Sequence, residues 1–211
     1  SKPKLNIELI KTQISISSPI VLQSVLGLGS WFVFFAVIDN LGERELAKAN
    51  LVRMVYLVLS IPTWGFSSGI NTLVSNCLGQ KRLDLIMPVT LRTTLLTLGI
   101  TLAMMLPILY SPEYFLTFIF KFGKDSADLN IIQESMPILY VLGGVLVTFN
   151  FGAIYFNALS GTGATLQGLK IQVGCVVFYL VAIYTSINFL SLGQEWAWGV
   201  EMLYWGIMFG V

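Results

Sequence analysis

Amide and hydroxyl side chains recur at helical spacing inside the apolar stretches of this chain. Such groups either bind a small molecule through a few hydrogen bonds or hold neighbouring helices together. Serine and threonine hydroxyls also bond the carbonyl four residues back on their own helix, which favours the packing role for them. An amide needs several partners and folds back less readily. Both roles therefore stay open for Asn71, Asn150 and Asn157.

Four stripes of such residues repeat with a period close to that of an α-helix, each within one apolar stretch. Small and polar side chains face other helices rather than lipid, so each stripe predicts a buried face of a bundle. Arg53 in the second stripe either lies deep with a functional role or extends to the membrane interface. The stripes are Gln23, Gly27, Ser30 and Phe34; Arg53, Ser60, Trp64, Ser68, Asn71 and Ser75; Thr90, Thr94, Thr97 and Thr101; and Gly143, Asn150, Asn157 and Gly161.

The residue types that the chain lacks exclude several familiar chemistries. The sequence contains no histidine, which removes the usual general base, the His-containing zinc sites and histidine-ligated haem. Cys77 and Cys175 lie in separate apolar stretches, a spacing typical of neither a metal site nor a disulfide framework. We therefore expect no enzyme, no metal site and no bound cofactor.

Acidic residues are sparse within the apolar stretches. Asp39 and Glu134 fall at the predicted ends of spans, and Glu201 comes early in the last one. We therefore expect no span to carry a carboxylate near its middle. The mid-membrane carboxylate that proton and sodium pumps usually carry is not visible in the sequence.

The composition requires a membrane. Hydrophobic residues make up 55% of the 211 residues and charged residues 11%, and the mean hydropathy is +0.79, whereas soluble domains have about a quarter charged residues. The formal net charge is +1 and there is no basic block, so nucleic acid is not expected as a partner.

Long gaps between charged residues define six membrane spans. A helix needs about 20 apolar residues to cross the hydrocarbon core. Barrel strands would instead alternate apolar and polar residues, which these stretches do not, so we predict an all-α bundle. The approximate spans are 14–38, 48–78, 86–110, 132–160, 166–190 and 195–211.

The distribution of positive charge weakly favours a cytoplasmic N-terminus, and six spans then return the C-terminus to the same side. The residues assigned to the cytoplasmic side are Lys2, Lys4, Lys11, Lys81, Arg82, Arg92 and Lys170, against Arg44, Lys48, Arg53, Lys121 and Lys124 outside.

The stretch 18–84 resembles the seventh and eighth spans of multidrug and toxic compound extrusion (MATE) transporters. Later, the run FNALSGTGATLQGLKIQ is similar to the glycine-rich end of the tenth span and the joint that follows. The landmarks of the first stretch are Pro-x-x-x-Gln at Pro19 and Gln23, Leu-Gly-x-x-x-Leu-Ala at 41–47, the mid-helix Pro62, and Leu-Gly at Leu78 and Gly79.

This resemblance implies that residues 1–211 are the C-terminal six-helix lobe of a twelve-helix, two-lobe integral membrane transporter. It implies an N-terminal lobe as partner, a substrate path between the lobes, and a multi-pass location in the cytoplasmic membrane with both ends of this chain cytoplasmic. Some members carry acidic residues at two positions that correspond here to Gly27 and Phe149. The resemblance therefore implies that the coupling ion, Na⁺ or H⁺, binds in the N-terminal lobe.

The function implied is secondary active efflux of amphipathic, often cationic molecules in exchange for Na⁺ or H⁺. Aromatic rings and amides would contact such a substrate. Two alternatives stay open: a flippase for lipid-linked saccharides, whose cationic cavity would need Arg53 and Arg92, and a fragment that does not transport alone. The cleft candidates are Gln23, Trp31, Arg53, Trp64, Asn71, Asn150, Tyr155 and Asn157.

Overall fold

The computed structural model describes residues 7–120 and 126–210, and within these ranges the chain forms helices and no strand. Six long helices and two short ones follow in order. They are α1 (Ile7–Asp39), α2 (Glu43–Gly79), α3 (Ile86–Tyr110), the short α4 (Pro112–Phe120) and α5 (Ser126–Glu134), α6 (Met136–Gly161), α7 (Thr165–Tyr184) and α8 (Gln194–Gly210). A 3₁₀ turn, Leu83–Leu85, precedes α3, and a π-helical turn, Thr185–Phe189, extends α7.

The prediction of an all-α integral membrane bundle is confirmed. Within the described residues, four helical segments are long and apolar enough to cross a membrane: Ile7–Asp39, Leu83–Tyr110, Met136–Gly161 and Thr165–Phe189. The helix α2 is longer, with 37 residues, but its hydroxyl and amide groups lower its hydropathy. The helix α8 has 17 residues.

The connection between the third and fourth predicted spans is largely helical. Two short helices, α4 and α5, occupy much of it. Arg44 at the start of α2 holds the end of α5, because its Nε donates to Glu134 Oε2 at 2.9 Å and its Nη2 donates to the other oxygen. Lys2, Lys4, Lys121 and Lys124 of the charge pattern lie outside the described residues.

The helix α6 lies at the centre of the bundle, where it packs against α2, α3 and α8. Glycines permit two close approaches. A Cβ added at Gly152 would lie 2.7 Å from the backbone oxygen of Trp205 in α8, and one at Gly161 would lie 2.6 Å from the backbone oxygen of Asn71 in α2. Small residues at helix contacts allow this proximity in membrane bundles.

The remaining helices divide into two packing groups. The helices α2, α3 and α6 pack together, and α1 packs mainly against α7; α8 contacts both α6 and α7. Two glutamines join α1 to α7: Gln23 Nε2 donates to the Thr165 carbonyl, and Gln172 Nε2 donates to the Gln23 carbonyl, both at 2.9 Å.

The threonine stripe of α3 is buried, as predicted, and three of its four hydroxyls bond their own helix, whereas the Thr101 hydroxyl has no partner within the described residues. The Oγ1 atoms of Thr90, Thr94 and Thr97 donate to carbonyls four residues back at 2.7–2.9 Å. The stripe of α2 is not a single buried face, because Ser60 is buried whereas Trp64 and Ser68 are exposed at the edge of a cavity.

Candidate functional site

A carboxylate lies in the middle of a helix where the sequence pattern predicted none. Glu201 is the eighth of the 17 residues of α8 and is 3% exposed. The expectation of no mid-span carboxylate was wrong because the last apolar gap begins after Glu201. Gaps between charges indicate where a span can lie, but not which charges lie within it.

Glu201 lies on the wall of a cavity of about 260 Å³ between α1, α2, α6, α7 and α8, which we call the carboxylate cavity. Trp205 Nε1 donates to Glu201 Oε1 at 2.9 Å, and the side chains of Tyr179 and Trp31 interact with the same carboxylate. Among the described residues that line this cavity, none is basic.

Two other oxygens lie on this wall. The Tyr179 hydroxyl faces the Glu201 carboxylate, whereas Gln172 Oε1 has no hydrogen-bond partner within the described residues; both residues are buried, at 2% and 6% exposure. The Gln172 amide is oriented by the bond from its Nε2 to the Gln23 carbonyl. The cavity thus combines one carboxylate with a hydroxyl that faces it and a neutral oxygen that has no partner.

A second, more open cavity of about 590 Å³ lies beside the first, and we call it the amide cavity. Asn71 and Asn157 line it, together with serines of α2. Trp64, Phe149 and Trp205 line both cavities. The structure therefore brings three of the predicted cleft residues, Trp64, Asn71 and Asn157, to one surface.

Asn157 corrects the expectation that an amide does not fold back on its own helix. Its Nδ2 donates to the Ala153 carbonyl, four residues back, at 2.9 Å. This bond uses one of the two amide hydrogens and holds the side chain at the cavity wall.

Ser75 joins α2 to α6 near the same cavity. Its hydroxyl is shared between the Asn71 carbonyl on its own helix, at 3.0 Å, and the Gly161 carbonyl on α6, at 2.8 Å.

Asn150 lies away from both cavities, fully buried among α2, α3 and α6. In one orientation of its amide, Nδ2 donates to Thr63 Oγ1 at 3.4 Å. In the other, Nδ2 donates to the Thr94 carbonyl at 3.1 Å and Oδ1 accepts from the Leu98 backbone N–H at 3.2 Å, which satisfies both amide atoms. Either arrangement joins helices.

The other predicted residues occupy separate positions. Gln23 joins α1 to α7, as described above. Arg53 is half-buried with its guanidinium carbon 4.8 Å from the centre of the Phe35 ring, a cation–π arrangement; it lines a third cavity with Asp39 and Trp31. Trp31 also lines the carboxylate cavity. Tyr155 packs edge-on against Phe209, with ring centres 5.0 Å apart.

Sequence reasoning missed four residues of the carboxylate cavity. Gln172 and Tyr179 are seven residues apart on α7, and Glu201 and Trp205 are four apart on α8. The helical period that identified the other stripes applies to both pairs. Gly27 and Phe149, the positions at which the family resemblance implied acidic residues in some members, lie on the same wall as Glu201.

Comparison with known structures shows the fold. A MOP superfamily transporter from Pyrococcus furiosus, whose structure was described with a binding pocket of reversed polarity, is similar with a TM-score of 0.78 and 16% identity over 94% of this chain. An outward-facing multidrug resistance MATE family transporter is similar with the same TM-score and 15% identity over 94% of this chain. The chain spans 42% and 43% of those two proteins.

The sequence comparisons identify the family. No curated protein matches the chain in sequence. The family profile named MatE matches residues 19–185, a range that includes both cavities apart from the residues on α8. The chain therefore belongs to the MatE family of multi-pass membrane transporters.

Proposed function

We propose that this chain is one lobe of a secondary active exporter that expels amphipathic, often cationic small molecules in exchange for Na⁺ or H⁺. A second, N-terminal lobe would complete the substrate path. We place both ends of the chain on the cytoplasmic side of the cytoplasmic membrane. Family membership supports transport, and the amide cavity supports the kind of substrate.

The observation that carries this proposal is the lining of the amide cavity. Trp64, Phe149 and Trp205 supply aromatic rings, while Asn71 and Asn157 supply amides. Aromatic rings attract a cation and bury apolar groups, and a small number of amides fixes the orientation of the bound molecule. The described residues that line this cavity carry no charge, so a lipophilic cation is not repelled there.

The same lining does not favour a flippase for lipid-linked saccharides. A pyrophosphate would need positive charge in the cavity. Arg53 packs against Phe35 beside a different cavity, and Arg92 is exposed on α3. Neither arginine lines the amide cavity.

Alternating access would couple the gradient of the ion to the export of the substrate. An ion that binds one arrangement of the lobes more tightly shifts the population toward it, and the substrate affinity changes with the arrangement. The expectation that the ion binds in the N-terminal lobe rested on Gly27 and Phe149, which are uncharged at positions where some members carry acidic residues. Glu201 supplies a carboxylate on the same cavity wall.

Transport of a cationic dye tests the function. The complete two-lobe transporter in proteoliposomes should move the dye against its gradient when a Na⁺ or a pH gradient is imposed. Dye movement that responds to neither gradient would contradict an ion-coupled exporter.

A pair of asparagines tests the cavity. Asn157 and Asn188 make the same bond to the carbonyl four residues back, but Asn188 is exposed and lines neither cavity. Asn157→Ala should weaken apparent dye affinity about 2- to 10-fold, the effect of one lost hydrogen bond, whereas Asn188→Ala should leave it unchanged. Equal affinities in the two variants would remove Asn157 from the site.

A further inference from the structure

The carboxylate cavity points to the ion that drives the exporter. We propose that Glu201, Tyr179 and Gln172 bind a monovalent metal cation, Na⁺, within this lobe. This inference rests on the proposed function and deepens it, because it assigns the ion a site on α7 and α8. Three observations support the site: a buried carboxylate with no basic partner, a buried oxygen without a partner on the same wall, and a wall shared with the amide cavity.

The first observation is that no positive charge compensates Glu201. A carboxylate buried within a membrane span is costly unless it is paired, and such residues usually mark ion pathways. The hydrogen bond from Trp205 Nε1 and the neutral side chains of Tyr179 and Trp31 stabilise Glu201 in part. No lysine or arginine lies among the described residues of the cavity wall, so a bound cation is the partner that this site lacks.

The second observation is Gln172 Oε1, an oxygen without a partner. Buried polar atoms are nearly always hydrogen-bonded, so each exception needs an explanation. Gln172 Oε1 is such an exception on this wall, and the Tyr179 hydroxyl on the same wall faces Glu201. Hard cations take carboxylate, carbonyl and hydroxyl oxygens as ligands, so a cation beside Glu201 would give Gln172 Oε1 a partner and take the Tyr179 hydroxyl as a further ligand.

The charge of the wall selects a monovalent ion. Glu201 supplies one negative charge, and the other described residues that line the cavity are neutral. A divalent cation would retain a net positive charge in a low-dielectric site, whereas Na⁺ is neutralised. The volume of about 260 Å³ holds the ion and several waters.

The third observation links the ion to the substrate. Trp205 donates to Glu201 and also lines the amide cavity, and Trp64 and Phe149 line both cavities. An ion at Glu201 would change the environment of the Trp205 indole. Because Trp205 faces both sites, occupancy of one site changes the free energy of binding at the other.

Tryptophan fluorescence tests this assignment without transport. Trp31, Trp64 and Trp205 line the carboxylate cavity. The purified whole transporter in detergent is titrated with NaCl at constant pH, with choline chloride holding the ionic strength constant. We expect a saturable change whose midpoint rises at least about tenfold in Glu201→Gln and several-fold in Tyr179→Phe, since even indirect ligand partners are worth about 10- to 100-fold in metal affinity.

Glu195→Gln is the matched control. Glu195 lies on the same helix but does not line the carboxylate cavity, so this variant removes the same charge and should keep the wild-type midpoint. Equal midpoints in Glu201→Gln and wild type would overturn the proposal. So would a fluorescence change that responds to pH and not to Na⁺.

Two further outcomes separate this proposal from the proposed function. If Glu201→Gln does not fold, Tyr179→Phe decides, because it removes a single oxygen atom, and an unchanged midpoint there overturns the site. Na⁺ binding that depends on Glu201 without any dye efflux would refute the exporter and keep the ion site. Na⁺-driven efflux that survives in a folded Glu201→Gln variant would refute the ion site and keep the exporter.

Discussion

Alanine in place of Gly152 should destabilise the bundle, whereas the same change at Gly144 should not. Both glycines lie on α6 and face α8, about two helical turns apart. An added Cβ would meet a neighbour at 2.7 Å in each case, but at Gly144 that neighbour is the sulfur of Met202 and at Gly152 it is the backbone oxygen of Trp205. The end of a methionine side chain can move at little cost in free energy, whereas a helix backbone cannot.

The expected magnitude follows from two opposing terms. Replacing a glycine within a helix by alanine stabilises the helix by about 0.5–1 kcal/mol. Overpacking a rigid contact costs about 1–3 kcal/mol. Gly152→Ala should therefore lower the free energy of unfolding by up to roughly 2.5 kcal/mol, up to about 10 °C in melting temperature for a chain of this size, while Gly144→Ala should be neutral or slightly stabilising.

Thermal unfolding of the purified protein in one detergent, followed by circular dichroism, measures both variants. Gly99→Ala on α3 is a third reference, since nothing lies within 4 Å of its added Cβ. Equal melting temperatures for Gly152→Ala and Gly144→Ala would refute the reasoning that backbone contact limits the approach of α6 and α8. A loss of dye transport in Gly152→Ala at low temperature, where the protein is folded, would show that the position of Trp205 also matters for function.

Three other changes test separate parts of the bundle. Asn150→Leu should destabilise the protein by about 1–3 kcal/mol in chemical unfolding, because buried polar partners on neighbouring helices lose their amide; an unchanged midpoint would exclude the packing role. Thr97→Val should alter dye affinity by less than about twofold in the transport assay, because its hydroxyl bonds only its own helix in the described contacts; a larger loss would place it at the substrate path. The hydrogen bond from Arg44 holds the pKa of Glu134 below its usual range. The pair therefore stabilises the fold at neutral pH, and this contribution is lost as the pH falls through the lowered pKa; the difference in melting temperature between wild type and Glu134→Gln should shrink in acid, and a constant difference from about pH 7 to about pH 3 would contradict the assignment.

The bundle itself was predictable because its causes are local in the sequence. Gaps between charges follow from the thickness of the hydrocarbon core, and the stripe from Thr90 to Thr101 follows from helical periodicity. Three of its four hydroxyls could also be assigned to packing, since their partners lie four residues back on the same helix. The short helix α5 was missed because a polar composition is equally typical of loops, and α4 was missed because its nine residues are too few to cross the membrane.

The cavities were less predictable because they depend on contacts between distant helices. Trp64, Asn71 and Asn157 share a wall through the packing of α2 on α6, which the sequence pattern only suggests. Asn150 and Asn157 lie seven residues apart and so belong to the same stripe of α6, yet the packing of α6 buries Asn150 against α3. Glu201 was missed because the last apolar gap begins after it, which favours a place near the start of the span over a place at its middle.

The division of the helices into two packing groups has a mechanical consequence. Sliding α1 and α7 as a pair past α2, α3 and α6 leaves intact the glutamine bonds that clamp the pair, whereas separating α1 from α7 would break them. The bundle is therefore most compliant along the boundary between the groups. The helix α8 bridges that boundary, because it packs on α6 and also contacts α7. Its only buried acid among the described residues, Glu201, lies on the cavity that helices of both groups line.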